Sequence, residues 1–155
     1  MGVEIERKYL VNSVEWNGLN KPAGTFLRQG YLSTDPNKTI RVRHSPDKGY
    51  ITIKGLSVGA TRSEFEYEIP VNDAKDLLDK FAVAELTKTR YKIEFGNKAW
   101  EVDEFFGNNL GLIVAEIELA SEDELFDIPA WIGIEVTGDE KYYNSNLCLH
   151  PFKNW

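Results

Sequence analysis

Ionic side chains spaced two apart, with apolar ones between them, recur along almost the whole chain. Glu4, Glu6 and Lys8 begin the series. Arg41 and Arg43, Thr52 and Lys54, and Glu64, Glu66 and Glu68 follow, then Lys88 and Arg90, Glu101 and Asp103, and Glu116 and Glu118. Glu135 and Thr137 extend it. Residues two apart on a strand share a face, so this period excludes long amphipathic helices as the main element and demands β-strands. Clusters of Gly, Pro, Asn and Asp punctuate the strands, as at Ser33-Thr34-Asp35-Pro36-Asn37 and Ser45-Pro46-Asp47-Lys48-Gly49. The expected strands are 3–10, 25–32, 40–44, 50–54, 62–69, 88–94, 99–103, 113–119 and 132–137.

Helical spacing is sparser. Leu77, Leu78 and Phe81 predict a helix over 72–83 with Asn72 or Asp73 as N-cap, and shorter helices are expected over 14–19, 121–126 and 139–149. The fold class is therefore α+β, one domain over 1–155, built on a large antiparallel sheet.

The two faces of those strands differ in kind. Ile40 and Val42, Ile51 and Ile53, Phe65 and Tyr67, Trp100 and Val102, and Ile117 and Leu119 form apolar faces that helices can cover. Their opposite faces are ionic rather than the ordinary mixture of Ser, Thr and Gln. Three strands carry mainly bases and four mainly acids, so the ionic faces are expected to converge. Closure of the sheet would make them line a polar tunnel and would remove the exposed edges of a long sheet.

Composition narrows the function. With 18 Lys and Arg against 25 Asp and Glu, the net charge of −7 argues against nucleic-acid or anionic-membrane partners. No apolar run is long enough to span a bilayer, no secretion signal opens the chain, and the lone Cys148 cannot form an internal disulfide, so a cytoplasmic location is expected. P-loop, dinucleotide-turn and nucleophile-elbow signatures are absent, and His44 and His150 lie in no zinc-binding frame. What remains is chemistry with both charges in one cavity. Glu-x-Glu pairs offer hard oxygen ligands for Mg²⁺ or Mn²⁺, one or two ions. Arg-x-Arg and single Lys side chains suit phosphate oxygens. That combination is the composition of a phosphoryl-transfer site acting on a small polyphosphate.

The run Glu4-Ile5-Glu6-Arg7-Lys8 also resembles the Glu-x-Glu-x-Lys motif of the CYTH superfamily, the triphosphate tunnel metalloenzymes. Gln29-Gly30-Tyr31-Leu32, Arg41-Val42-Arg43, Thr52-Ile53-Lys54, Glu64-Phe65-Glu66, Lys88-Thr89-Arg90-Tyr91, Trp100-Glu101-Val102-Asp103 and Ala115-Glu116-Ile117-Glu118-Leu119 resemble family strands in family order. Glu135-Val136-Thr137 with Tyr142, Tyr143 and Asn144 closes the match, which is nearest to short single-domain bacterial triphosphatases. The resemblance implies an eight-stranded antiparallel closed β-barrel with flanking helices and a central ionic tunnel. It implies Glu4, Glu6, Glu116 and Glu118 as metal ligands, with Glu64, Glu66 and Asp103 in support. Lys8, Arg41, Arg43, Lys54, Lys88 and Arg90 are implied as the phosphate clamp, Lys8 and Lys54 also acting in catalysis, and Lys141 as a cation reaching in from the C-terminal helix. Tyr31 is implied as a proton acceptor, a role that requires neighbouring bases to lower its pKa from near ten.

The implied activity is metal-dependent hydrolysis of inorganic tripolyphosphate by a monomer or homodimer. Alternatives are a class IV-type adenylate cyclase, a thiamine or nucleoside triphosphatase, and a non-catalytic triphosphate-binding module. Six bases against ten expected tunnel acids (the supporting and metal set with Glu68, Glu101 and Glu135) also predict a cavity deficient by four charges, which two divalent cations would cancel.

Overall fold

Alternation of ionic and apolar side chains on most strands leaves the sheet with one polar face, and curling inward is the arrangement that lets those charges meet. A computed structural model, which describes residues 2–155, shows this closure. The strands are β1 (Val3–Val11), β2 (Thr25–Ser33), β3 (Thr39–His44), β4 (Gly49–Lys54), β5 (Thr61–Ile69), β6 (Ala84–Phe95), β7 (Lys98–Phe105), β8 (Ile113–Glu118) and β9 (Ile132–Glu135). Eight form an antiparallel ring in the order β5-β4-β3-β2-β6-β7-β8-β1. β1 closes it by pairing Val3, Glu4 and Ile5 with Ser63, Arg62 and Thr61 of β5. The ninth, β9, lies beside the later half of β1, pairing Tyr9 with Glu135 and Val11 with Ile132 across a register shift.

Register aligns the polar faces. Lys8 faces Glu116, Glu6 faces Glu118, Arg41 faces Thr52, Lys54 faces Glu64, Arg90 faces Asp103 and Tyr31 faces Arg41. A slip of one residue on any strand would turn its charges outward and its apolar residues into the tunnel, so the pattern itself fixes the pairing.

Most of the hydrophobic core lies outside the ring, between barrel and helices. The helix α1 (Ser13–Asn17), capped by the Asn12 side chain, brings Trp16 onto Tyr9, Trp100, Val102, Ala115, Ile117 and Trp131. The helix α2 (Val71–Phe81) lays Ala74 and Leu78 on Val42, with Leu32 and Ile51 alongside. Gly30 permits this approach, because a Cβ there would stand 2.6 Å from Leu78 Cδ2. A third cluster sits at one end of the barrel. Leu86, Phe105 and Val114 continue the inward faces of Lys88, Asp103 and Glu116, and Leu147 of α3 (Asn144–Leu149) packs among them as an apolar plug.

Three expectations about helices change. Residues 121–126 form turns, because Glu124 accepts from the Ala120 amide (2.6 Å) and from Lys98 (2.6 Å) while Leu125 faces solvent with nothing to bury against. The bond from the Ala120 amide to the Glu124 side chain competes with helix. The helix α2 begins at Val71, and its N-cap is Pro70 with no side-chain cap, not Asn72 or Asp73. The segment 139–149 divides into a 3₁₀ turn, Glu140–Tyr142, and α3. No helix among the described residues is long and apolar enough to cross a membrane.

Candidate active site

The barrel encloses a cavity of about 210 Å³ whose lining includes no aliphatic residue. Seven carboxylates (Glu4, Glu6, Glu64, Glu66, Glu101, Glu116, Glu118) and seven cations (Lys8, Arg41, Arg43, Lys54, Arg62, Lys88, Arg90) face it. Tyr31, Thr39, Tyr143, Asn144 and Ser145 complete the wall. A second opening, between the β6–β7 hairpin and β8, shares Glu6, Glu101, Glu116 and Glu118 with this cavity and adds Lys92.

Ion pairs organise the interior. Lys54 Nζ lies 3.0 Å from Glu4 and 3.3 Å from Glu64, so the ammonium links β4 to both strands that close the ring. Arg41 Nη2 donates to Thr52 Oγ1 (3.1 Å) and Glu66 (3.2 Å), and Thr52 in turn donates to Glu66 (2.8 Å). Arg90 grips Asp103 with two parallel bonds of 2.8 and 2.9 Å and reaches Glu101 and Glu116 at 3.2 Å each. Lys88, 1% exposed, is 2.8 Å from both Asp103 and Asn144 Oδ1. Lys8 donates to the Tyr142 carbonyl (3.2 Å) and lies 3.7 Å from Glu116.

Arg43 and Arg41 have spare capacity. Arg43 Nε donates to Gln29 Oε1 (3.1 Å), and no carboxylate pairs with its guanidinium among the described residues. Arg41 Nε is buried with no hydrogen-bond partner. Buried donors left unsatisfied are costly, so this wall is prepared for an anion.

Titration follows from burial and neighbours. Burial, with Glu116 and Glu4 close by, lifts Glu6 well above the usual carboxylate range. Burial would raise Glu116 as well, but Lys8, a hydrogen bond from Glu6, and Arg90 hold it well below that range. The two neighbouring acids are thus displaced in opposite directions, Glu116 because it lies beside Lys8 and Arg90 and Glu6 because it is buried and faces other acids. For Glu4, burial is outweighed by Lys54, and the pKa falls. Burial, Glu4 and Glu101 raise Glu118. Asp103 is held at about 2, since Arg90 and Lys88 outweigh its burial. Burial lowers Lys88 to about 7 despite Asp103, and lowers Arg43 to about 9.

The residues that could hold a divalent cation are Glu4, Glu6, Glu116 and Glu118, all hard oxygen donors on one wall. Among the described residues no three acidic, His or Cys side chains already converge on a single point. Lys54 engages Glu4, and Lys8 and Arg90 engage Glu116, while burial and the neighbouring Glu116 and Glu4 disfavour the charged form of Glu6, which positive charge there would relieve. The donor chemistry fits Mg²⁺ or Mn²⁺.

Several expected positions shift. Asp103 is 2% exposed and stands behind the wall, where it supports Lys88 and Arg90. Glu68 points to solvent beside Lys48 (3.9 Å), and Glu135 pairs with Arg7 (3.6 Å) outside the barrel. Lys141 stacks 3.9 Å over Trp155 and does not line the cavity. The expected deficit of four charges is thus absent: seven carboxylates and seven cations line the cavity, and they balance. The condition for Tyr31 to accept a proton is also unmet, because burial outweighs Arg41 and Arg43 and pushes its pKa up to about 12. Sequence reading passed over Arg62, although it continues the alternation of Glu64 and Glu66, and it gave no role to Gln29 or Asn144. No signal separates an inward amide from a surface one until the strands are paired.

Comparison with known proteins gives a consistent result. The model of the CYTH domain matches residues 2–146. An inorganic triphosphatase of Acetivibrio thermocellus is 49% identical over 156 residues, covering 100% of this chain and 99% of that protein. One of Nitrosomonas europaea is 36% identical over 151 residues, covering 94% of this chain and 97% of that protein. A solved structure of an inorganic triphosphatase superposes with a TM-score of 0.64 at 32% identity, over 94% of this chain and 97% of that one.

Proposed function

The chain belongs to the CYTH domain family, and from that premise we propose that it hydrolyses inorganic tripolyphosphate, releasing orthophosphate. The observation that carries this reading is the cavity itself. Its cations have unspent donors, its carboxylates suit a hard metal, and it offers no aliphatic wall on which a nucleobase or thiazole ring would gain from burial. The name shared by the two relatives agrees with it.

In this reading Arg41, Arg43, Arg90, Lys54, Lys88 and Lys8 hold the chain of phosphates. The arginines present planar forks to non-bridging oxygens, and the lysines act as point charges. Arg90 is kept rigid by Asp103 and Glu101, so it meets substrate without reorganising. Lys54 and Lys8 balance the charge that develops as the terminal phosphoryl group departs. Glu4, Glu6, Glu116 and Glu118 would hold Mg²⁺ or Mn²⁺, with Glu64 and Glu66 supporting them. When bound, such a cation supplies polarisation of phosphate oxygens and acidification of a water. For Glu4 to hold such a cation, its carboxylate would have to be freed from Lys54. A triphosphate's negative charge would favour that release by attracting the Lys54 ammonium. A cytoplasmic location is part of this reading, consistent with the unpaired Cys148.

The test is product identification with tripolyphosphate, ATP and thiamine triphosphate, each with Mg²⁺ or Mn²⁺. Orthophosphate released faster from tripolyphosphate than from the other two supports the proposal. Cyclic AMP from ATP, or binding without turnover, contradicts it.

A further inference from the structure

Tyr31 is 3% exposed, yet it belongs to the cavity wall, and Arg41 is its partner across β2 and β3. Its surroundings fix which way its hydroxyl hydrogen points. Arg43 Nε can only donate, so the Gln29 atom 3.1 Å from it is the carbonyl oxygen. The amide nitrogen of Gln29 then faces the Tyr31 hydroxyl at 2.9 Å and Asn144 Oδ1 at 3.3 Å. Asn144 Oδ1 also accepts from Lys88 Nζ, 2.8 Å away, so two donors converge on that oxygen. The direction runs from Arg43 through the Gln29 amide to Tyr31, and Asn144 Oδ1, accepting from both Gln29 and Lys88, holds the Gln29 nitrogen on that side. Gln29, 0% exposed, has no other conformation that satisfies both its neighbours.

The Tyr31 oxygen therefore accepts from Gln29, and its own hydrogen must be given elsewhere. Among the described residues no acceptor takes it. It lies beside Arg41, whose Nε is a second donor without a partner, and near Arg43, which lacks a carboxylate. Three unspent donors together describe a seat for an oxyanion.

We infer that Tyr31 donates its hydroxyl hydrogen to a phosphate oxygen of the bound triphosphate, in a direction set by Gln29 and Asn144, and does not accept the proton of the attacking water. This inference rests on the triphosphate reading above. It makes Tyr31 a substrate-contacting catalytic residue, and Gln29 and Asn144 positioning residues that act through it. The upward displacement of the phenol caused by burial agrees with a donor.

Reversal of the Gln29 bond tests the inference. An ionised carboxylate at 29, kept charged by Arg43, has only acceptors, so in Gln29→Glu the Tyr31 hydrogen turns to residue 29 and is lost to substrate. Tyr31→Phe should lower kcat/KM by about tenfold in the otherwise unaltered protein, the usual effect of removing a hydrogen bond to a charged group. The same substitution in the Gln29→Glu background should cost less than about twofold, because the bond is already gone. Equal cost in both backgrounds overturns the inference, since a packing role would not depend on residue 29. The pH profile provides a second readout that does not need Gln29→Glu to fold. Tyr31→Phe should keep both limbs of the kcat/KM profile in place, whereas disappearance of the acidic limb identifies Tyr31 as a proton acceptor and overturns the inference. If the unaltered protein fails to hydrolyse tripolyphosphate, the functional reading falls and this inference with it; hydrolysis with equal Tyr31→Phe costs removes this inference alone.

Discussion

Asp103→Asn keeps the shape of the side chain and removes one negative charge from beneath the cavity wall. Asp103 is the shared counter-ion of Arg90, at 2.8 and 2.9 Å, and of Lys88, at 2.8 Å, and the Lys88 and Asp103 side chains are 1% and 3% exposed. Removing one partner of a buried ion pair costs about 3–5 kcal/mol, because the remaining charge is left desolvated. For a chain of this length, that loss lowers Tm by about 6–20 °C.

Part of the cost can be separated by pH. The carboxyl stands at about 2 when folded against an ordinary 3.8, a gap worth about 2 kcal/mol of stability. A depressed carboxylate contributes fully above its unfolded value, and the contribution disappears as pH falls through its folded value. The unaltered protein should therefore lose this increment between about pH 4 and pH 2, and the Asp103→Asn protein should not. Urea unfolding at pH 7, 4 and 3, followed by tryptophan fluorescence, measures both effects. A loss below about 1 kcal/mol at pH 7 would mean that water already satisfies Lys88 and Arg90, and would refute the assignment of Asp103 as their buried counter-ion.

Three more outcomes follow from the same geometry. Glu6→Gln should leave stability nearly unchanged without metal, since burial and the neighbouring acids already disfavour the charged form of Glu6, yet weaken Mn²⁺ binding by about tenfold or more in calorimetry; undiminished Mn²⁺ affinity would remove Glu6 from the ligand set. Arg41→Ala or Arg43→Ala should raise the KM for tripolyphosphate by about 10–100-fold while changing kcat less, as expected for lost charge-assisted bonds, and an unchanged KM would exclude them from the clamp. Lys141→Ala should leave KM within about twofold, because that ammonium is engaged with Trp155 outside the barrel, and a larger rise would place it in the site after all.

Much of the barrel was legible because the alternation of Glu4, Glu6 and Lys8 and its successors specifies both strand and register. A charge at a position two from another charge has to share its face, so the lining could be named residue by residue. The errors arose where alternation continues past the wall. Glu68 and Glu135 obey the period yet lie beyond the ends of the ring, and Asp103 turns inward but is covered by Lys88 and Arg90. Sequence carries no measure of where a barrel ends. The plug of Leu86, Phe105, Val114 and Leu147 was hidden for a related reason. These residues sit at inward positions of otherwise ionic strands and become apolar only where α3 approaches, a contact between segments about 30–60 residues apart. Polar partners such as Gln29 and Asn144 stayed silent because an amide is equally at home on a surface.

The direct test of the account is ³¹P NMR of tripolyphosphate incubated with the full chain, first with excess chelator and then with Mg²⁺ or Mn²⁺ restored. The account predicts an unchanged tripolyphosphate spectrum under chelation. After the metal is added, orthophosphate and pyrophosphate should appear in equal amounts. Hydrolysis at the same rate under chelation would contradict the role given to the four glutamates. A tripolyphosphate spectrum that stays unchanged with either metal would contradict the function itself.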